Sequence, residues 1–320
     1  MQIVADQHGA ITHLWERDCS IQRRHQKVVE VAPSPGLDAH VRSQILDAAV
    51  ALARAADYVT VGTVEFLLSG RDFYFMEANP RLQVEHTVTE EITGIDLVTT
   101  QIRLAGGNSL ADIGLSDRPA PRGFAIQCRL NAETLDENGE PRSTAGTMTR
   151  FDMPSGPGVR VDTGSCAGTT VSPRFDSLLA KVITTGSSFA AAARRAASAL
   201  TEVDTSPVAT NRALLHAVVT DPAFVAGDFD TSFLPTRLDD FARHRAPEPS
   251  GTVVARPESS SPAADLDIPE GALVVRAPMA GVVVSTSVDV GAEIPGATGV
   301  VVIEAMKMEH VVRVDADAVS

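Results

Sequence analysis

The chain has 320 residues, 44% of them hydrophobic and 21% charged, which is ordinary globular material for about two to three domains. Its formal net charge of −14 argues against a general role on nucleic acid or on an anionic membrane surface, because both want a basic face. No run approaches the ~20 apolar residues of a membrane span, and the first residues lack the basic-then-apolar pattern of a secretory signal. Cys19, Cys128 and Cys166 are too widely spaced for a metal site or a disulfide framework, and they read as small core thiols in a reducing cytoplasm.

In chain order, Gln2 to Ala5 reads as a strand, Asp6-Gln7-His8-Gly9 as a turn, and Ile11 to Trp15 as a second strand. Glu16 to Lys27 is polar and ends strongly basic. It is either a solvated loop or an anion-binding segment, since Arg and Lys are the side chains that hold phosphate or bicarbonate. From Asp38 to Ala56 the residues Val41, Ile45, Ala49, Leu52 and Ala56 form one apolar helical face. Tyr58 to Leu68 and Phe73 to Ala78 are β-rich runs joined by Ser69-Gly70-Arg71-Asp72, a hairpin signal.

A turn centred on Arg71 sets Glu65 opposite Glu77, whereas a turn centred half a residue away sends the two to opposite faces. Facing carboxylates destabilise a ladder unless they share a proton or a cation, and carboxylates together with substrate phosphate are how Mg²⁺ is usually held. The bland alternative is a pair of edge-strand glutamates. The next stretch, Asn79 to His86, alternates strictly. If extended, it puts Asn79, Arg81, Gln83 and Glu85 on one face, a plausible site for a small oxyanion plus a base, and Leu82, Val84 and His86 on the other. On that second face His86 reads as a packed histidine, and a polar sheet face is the alternative for the first.

A helix follows with Ile95, Val98, Ile102 and Ala105 in register and a stop at Gly106-Gly107. Phe124 to Asn131 alternates as a half-buried strand with Arg129 on its polar side, and further strands are expected at Met148 to Phe151, Gly158 to Asp162 and Leu178 to Ile183. Helices are expected at Phe189 to Leu200 and Asn211 to Val219. From Arg243 to Pro269 the composition shifts to Pro, Ser, Ala and Glu, a flexible linker. Beyond it the chain is β-rich. Val300 to Ile303 and Val311 to Val314 flank Glu304-Ala305-Met306-Lys307-Met308-Glu309-His310, and a two-residue tip at Met306-Lys307 would pair Ile303 with His310 and Val302 with Val311. That places Lys307 at an exposed apex between two methionines.

Ala305-Met306-Lys307-Met308, preceded by Ala277-Pro278-Met279-Ala280-Gly281, resembles the biotinylation site of biotin carboxyl carrier domains. The segments Glu16 to Lys27, Met76 to His86 and Gln127 to Glu133 resemble the biotin carboxylase component of biotin-dependent acyl-CoA carboxylases, an ATP-grasp enzyme, over Met1 to about Phe241. The resemblance implies an α+β fold. It divides into the C-terminal portion of an ATP-grasp domain (1–106), a biotin carboxylase C-terminal domain (107–242), a linker (243–269) and an incomplete all-β biotinyl domain (270–320). Position by position, Glu65, Glu77 and Asn79 look like Mg²⁺ (or Mn²⁺) ligands, and Lys27, Arg81, Gln83 and Val84 like a bicarbonate pocket. Glu85 resembles the base that deprotonates bicarbonate, and Arg129 the cation that steadies biotin's enolate oxygen. Gln22 and His25, with Glu65 and Glu77, match nucleotide-side positions, and Lys307 matches the lysine that carries covalent biotin. The implied chemistry is attack of bicarbonate on the γ-phosphate of ATP to give carboxyphosphate, which releases CO₂ beside biotin.

The resemblance also implies partners: a carboxyltransferase, fused or separate, a biotin–protein ligase, and a second copy of the chain in a homo-oligomer. The family's glycine-rich nucleotide lid is not in the sequence, and the carrier part stops before its second half closes, so the chain reads as a fragment that is inactive alone. Phe124 and Gln127 stand where many bacterial subunits have His and Glu, as in pyruvate carboxylases and long fused acyl-CoA carboxylases. Pyruvate carboxylase is the alternative within this class, but it places a carboxyltransferase where this chain has only the linker. A non-catalytic carrier or assembly module, and a lipoyl carrier, are the alternatives outside it.

Overall fold

The computed structural model describes residues 1–136, 140–244, 246–247, 275, 277, 281–289, 291–292, 294–295, 298–305 and 308–314. It begins with β1 (Gln2–Ala5), β2 (Ile11–His13), β3 (Asp18–Arg23), β4 (Gln26–Ala32), α1 (Ala39–Ala55), β5 (Thr60–Ser69) and β6 (Asp72–Asn79). Then come α2 (His86–Thr93), α3 (Leu97–Ala105), β7 (Phe124–Asn131), β8 (Glu133–Leu135), β9 (Pro141–Ser143), β10 (Gly146–Thr147), β11 (Val159–Thr163), β12 (Thr170–Val171) and β13 (Leu178–Gly186). The remaining elements are α4 (Phe189–Glu202), α5 (Arg212–Thr220), α6 (Pro222–Ala226), α7 (Phe233–Ala242), β14 (Val282–Thr286), β15 (Gly299–Ala305) and β16 (Met308–Arg313).

Two antiparallel sheets position the site. The first runs β2-β1-β5-β6, and the second runs β11-β13-β7-β4-β3. Because β4 pairs directly with β7, Val29 opposite Cys128 and Glu30 opposite Gln127, the second sheet joins chain from both sides of the boundary expected near residue 106. Its apolar face is covered by α4, whose Ala192, Ala193, Ala196 and Leu200 are buried against Val29, Ile126, Leu130 and Val182. Alanines on that helix face let it lie close to the strands. The α1 face closes the first sheet through Ala49 and Ala53 on Ile3 and Val64.

The helix ends are fixed locally. Asp38 accepts hydrogen bonds from the His40 and Val41 amides, Ser188 from the Ala191 amide, and Asp221, ahead of Pro222, from the Ala223 and Phe224 amides. Gly94, at φ 73°, ends α2 in the left-handed conformation, and Asp96 then caps α3 by accepting from the Thr99 amide. The helix expected to stop at Gly106 is α3, and α2 ahead of it is a further helix that the sequence reading did not place.

Three other sequence expectations are corrected. Glu16 to Lys27 is no loop: β3 and β4 form a hairpin whose two-residue turn is Arg24-His25. Strand character at Met148 to Phe151 is displaced to Gly146–Thr147, with Asp152 making an isolated bridge to Asp204. The linker's first residues are packed: the His244 ring stacks on His216 with centroids 5.1 Å apart, and Ala246 is buried. Most of the expected linker lies outside the described residues. At the chain's end β14, β15 and β16 form a three-stranded antiparallel sheet with Ile303 opposite His310, Val302 opposite Val311 and Ala305 opposite Met308, the register expected for a Met306-Lys307 tip. Those two tip residues lie outside the described residues. Cys128 is buried as a core thiol should be, whereas Cys166 is exposed.

Candidate active site

The β3–β4 hairpin, the β5–β6 hairpin and the turn ahead of α2 converge on one charged cluster with Lys27 at its centre. The Lys27 ammonium donates to Glu85 Oε1 at 2.7 Å and to both Glu65 oxygens at 3.2 Å. Burial disfavours its charge, yet Cys19, Glu85 and Glu65 outweigh that and hold Lys27 above the usual lysine range. Glu85 is 3% exposed. Burial alone would raise its pKa, but Arg17, Lys27 and Arg129 overcome it and hold the carboxyl down at about 2. The site therefore keeps an ionised carboxylate among three cations.

Stability should carry the mark of that arrangement. A depressed folded pKa contributes stability that is present above the ordinary value of 4.5 and is lost as pH falls toward about 2. The stability gap between the wild type and Glu85→Gln, measured by denaturant titration, is expected to narrow across that window. A gap independent of pH there would contradict the charge arrangement.

The β5–β6 register explains how Glu65 meets Glu77. Near the tip Ser69 faces Asp72 and Phe66 faces Phe75, so the turn is centred half a residue from Arg71. A bulge between Phe66 and Glu65 then restores the pairing, and Glu65 sits opposite Glu77 after all. The Asn79 side chain bridges the two carboxylates, its Nδ2 donating to Glu65 Oε1 at 3.1 Å and to Glu77 Oε1 at 2.8 Å. Two facing carboxylates and an amide oxygen are hard donors suited to Mg²⁺, provided the amide turns its oxygen toward the ion. The residues fit the ion.

Asn79 to His86 is not extended. The Arg81 amide bonds the Asn79 carbonyl, the His86 amide bonds the Gln83 carbonyl, and α2 begins at His86. The turn still delivers Gln83 and Glu85 inward. Gln83 donates to Glu65 Oε1 at 2.5 Å and accepts from Arg17 at 2.8 Å. Arg81 is exposed at the rim, where it donates to the Leu82 carbonyl and to Asn79 Oδ1 at 3.4 Å. The Val84 carbonyl accepts from Lys181 at 3.3 Å, and His86 Nδ1 lies 2.7 Å from the Gln83 carbonyl.

From the second sheet Arg129 reaches Glu85 Oε2 at 3.0 Å and Glu30 Oε1 through Nε at 2.6 Å. Glu30 is fully buried, and Gln127 donates to its other oxygen at 2.8 Å. Gln127 therefore shares in fixing the guanidinium, one residue removed. Gln22 donates to the Cys19 carbonyl at 2.7 Å, beside the cluster, and His25 is exposed in the β3–β4 turn. Lys307 lies outside the described residues. Sequence reasoning missed Arg17, Glu30 and Lys181. Glu30 had a signal, a carboxylate within Val28-Val29-Glu30-Val31; the other two did not.

Residues 1–113 match the family described as carbamoyl-phosphate synthase L chain, ATP binding domain. Residues 127–236 match the biotin carboxylase C-terminal domain. The chain carries an ATP-grasp domain and a biotin carboxylase C-terminal domain. It is homologous to biotin-dependent carboxylases. It is 48% identical over 237 residues to the pyruvate carboxylase of Pichia angusta, a match that takes in 73% of this chain and 20% of that protein. To the Staphylococcus aureus enzyme it is 45% identical over 239 residues, 73% of this chain and 21% of the other. The chain thus spans about a fifth of the length of the pyruvate carboxylases it matches. Among solved structures, the biotin carboxylase domain of a thermophilic 2-oxoglutarate carboxylase bound to bicarbonate superposes with a TM-score of 0.71 at 40% identity. That match covers 75% of this chain and 54% of the other. A single-chain, multi-domain long-chain acyl-CoA carboxylase superposes with a TM-score of 0.73 at 40% identity, covering 98% of this chain and 32% of that one.

Proposed function

We propose that this chain is the part of an acyl-CoA carboxylase that carboxylates biotin, using ATP and bicarbonate, with the biotin carried on Lys307. The observation that supports the chemistry is the ionised Glu85 held between Lys27 at 2.7 Å and Arg129 at 3.0 Å. Lys27, Gln83 and the Arg81 rim offer donors to a bicarbonate anion, and Glu85 is placed to take its proton. Arriving bicarbonate competes for the Lys27 and Arg129 charges, which raises the basicity of Glu85 at the moment it is needed. The bicarbonate oxygen attacks the γ-phosphorus of ATP, the bond to ADP breaks, and carboxyphosphate falls to CO₂ and phosphate. Mg²⁺ held by Glu65, Glu77 and the Asn79 amide oxygen would offset phosphate charge. Biotin supplies the nitrogen that accepts CO₂. Arg129, steadied by Glu30, would supply a cation to biotin's oxygen as charge develops there.

The acyl-CoA assignment is supported by coverage. The long-chain acyl-CoA carboxylase superposition takes in 98% of the chain, whereas the pyruvate carboxylase superpositions take in 75% and 76%. Pyruvate carboxylase remains the second reading, favoured by identities of 44–48%. Comparing pyruvate with a series of acyl-CoAs as carboxyl acceptors of the holoenzyme separates the two. For the carrier role, the chain coexpressed with a biotin–protein ligase is expected to gain one biotin by intact mass, and Lys307→Arg is expected to abolish the gain. A lipoyl adduct, or an unmodified chain, would contradict it.

A further inference from the structure

The β3–β4 turn carries side chains that a tight turn does not ask for. Arg24 and His25 both have positive φ, 47° and 64°, in a two-residue hairpin loop where Gly and Asn are at ease. Arg24 uses the position to bridge two distant segments. Its Nη2 donates to Glu140 at 2.7 Å and its Nη1 to Glu309 at 2.8 Å. Glu309 belongs to β16, two residues beyond Lys307. Beside this clip, Ala305 and His310 of the β15–β16 hairpin line a cavity together with Gln26, Phe175 and Asp176. Phe175 is 73% exposed, a large aromatic left at the rim. Gln26 adjoins Lys27, and Ala132, on the same cavity wall, lies three residues beyond Arg129. The hairpin therefore lies against chain continuous with the strands that carry Lys27 and Arg129.

We propose that the β3–β4 turn and the Ser172–Ser177 segment are the landing surface for the β15–β16 hairpin of the same chain, with Arg24 clipped between Glu140 and Glu309. The functional meaning rests on Lys307 being the carrier lysine. All three members of the clip are 43–47% exposed. Exposed ion pairs hold weakly and are screened by salt. That suits a segment that must arrive at the site and leave again: the clip sets where the hairpin lands without fixing it there.

The test traps the landed state by chemistry that does not depend on activity. Cysteines replace Gln26 and His310 in a Cys166→Ser background, and a short thiol-reactive crosslinker bridges them. Arg24→Glu is expected to slow intramolecular crosslinking several-fold, because a third carboxylate then faces Glu140 and Glu309. Adding Glu309→Arg is expected to restore the rate, since the introduced guanidinium then lies between Glu140 and the carboxylate newly placed in the β3–β4 turn. Raised salt should slow the parent protein and speed Arg24→Glu, because it screens attraction in the first and repulsion in the second. An unchanged rate in Arg24→Glu, no rescue by the swap, or crosslinks only between chains would overturn the proposal. Biotin on Lys307 is scored separately by mass. Normal trapping and rescue without biotinylation would remove the carrier reading and leave the landing surface standing.

Discussion

Glu85→Gln is expected to lower bicarbonate-dependent ATP cleavage by the holoenzyme about 10²–10⁴-fold, the range for losing a positioned general base. The substitution keeps the side chain's size and one acceptor oxygen but removes the charge that Lys27 and Arg129 both contact. The KM for ATP should move far less than kcat, because the proposed role of Glu85 is toward bicarbonate and not toward the nucleotide. The pH profile gives an independent check. With the free carboxyl held at about 2, the acid limb of kcat/KM for bicarbonate between about pH 5 and 8 should not report Glu85. A limb in that range that vanishes in Glu85→Gln would contradict the electrostatics described above.

The largest stability effect is expected at Arg23 and Glu133. Their bidentate pair, two bonds of 2.8 Å, is 4% and 0% exposed and ties β3 to β8. Removing one partner strands the other charge in the core, and Arg23→Met is expected to cost about 3–5 kcal/mol. Removing both charges, as Arg23→Met with Glu133→Leu, should regain most of that loss, because two apolar groups leave nothing uncompensated. Chemical denaturation of the three proteins checks it; a single variant within about 0.5 kcal/mol of the parent, the range of ordinary surface substitutions, would contradict the buried pair. The same hairpin carries Lys27, so activity should fall with stability in the single variant and recover in the double.

Much of this was legible because it is local. Alternation found β7, the apolar face found α1, and the paired valine runs found the β15–β16 register down to Ile303 opposite His310. The meeting of Glu65 and Glu77 was legible for a partly wrong reason: the turn is offset by half a residue, and a bulge restores the register. No short-range rule places that bulge. The alternation of Asn79 to His86 left an extended run open, because period two is also what a turn can show over eight residues. Its outcome, Gln83 and Glu85 turned inward, survived the change of shape. The basic stretch ending at Lys27 left a solvated loop and an anion-binding segment equally open because its hairpin is rich in polar residues, with Arg23 buried only by finding Glu133 110 residues away. Arg17, Lys181 and the Arg24 clip depend on partners equally remote in sequence. Such pairs have no signature until the sheets bring them together.

The most direct measurement supplies the holoenzyme with ATP and radiolabelled bicarbonate and maps the label. Label is expected on the biotinylated peptide containing Ala305 to Glu309, dependent on ATP and absent from Glu85→Gln and Lys307→Arg. A protein biotinylated at Lys307 that cleaves ATP without placing label on that peptide would contradict the assignment of these residues to biotin carboxylation.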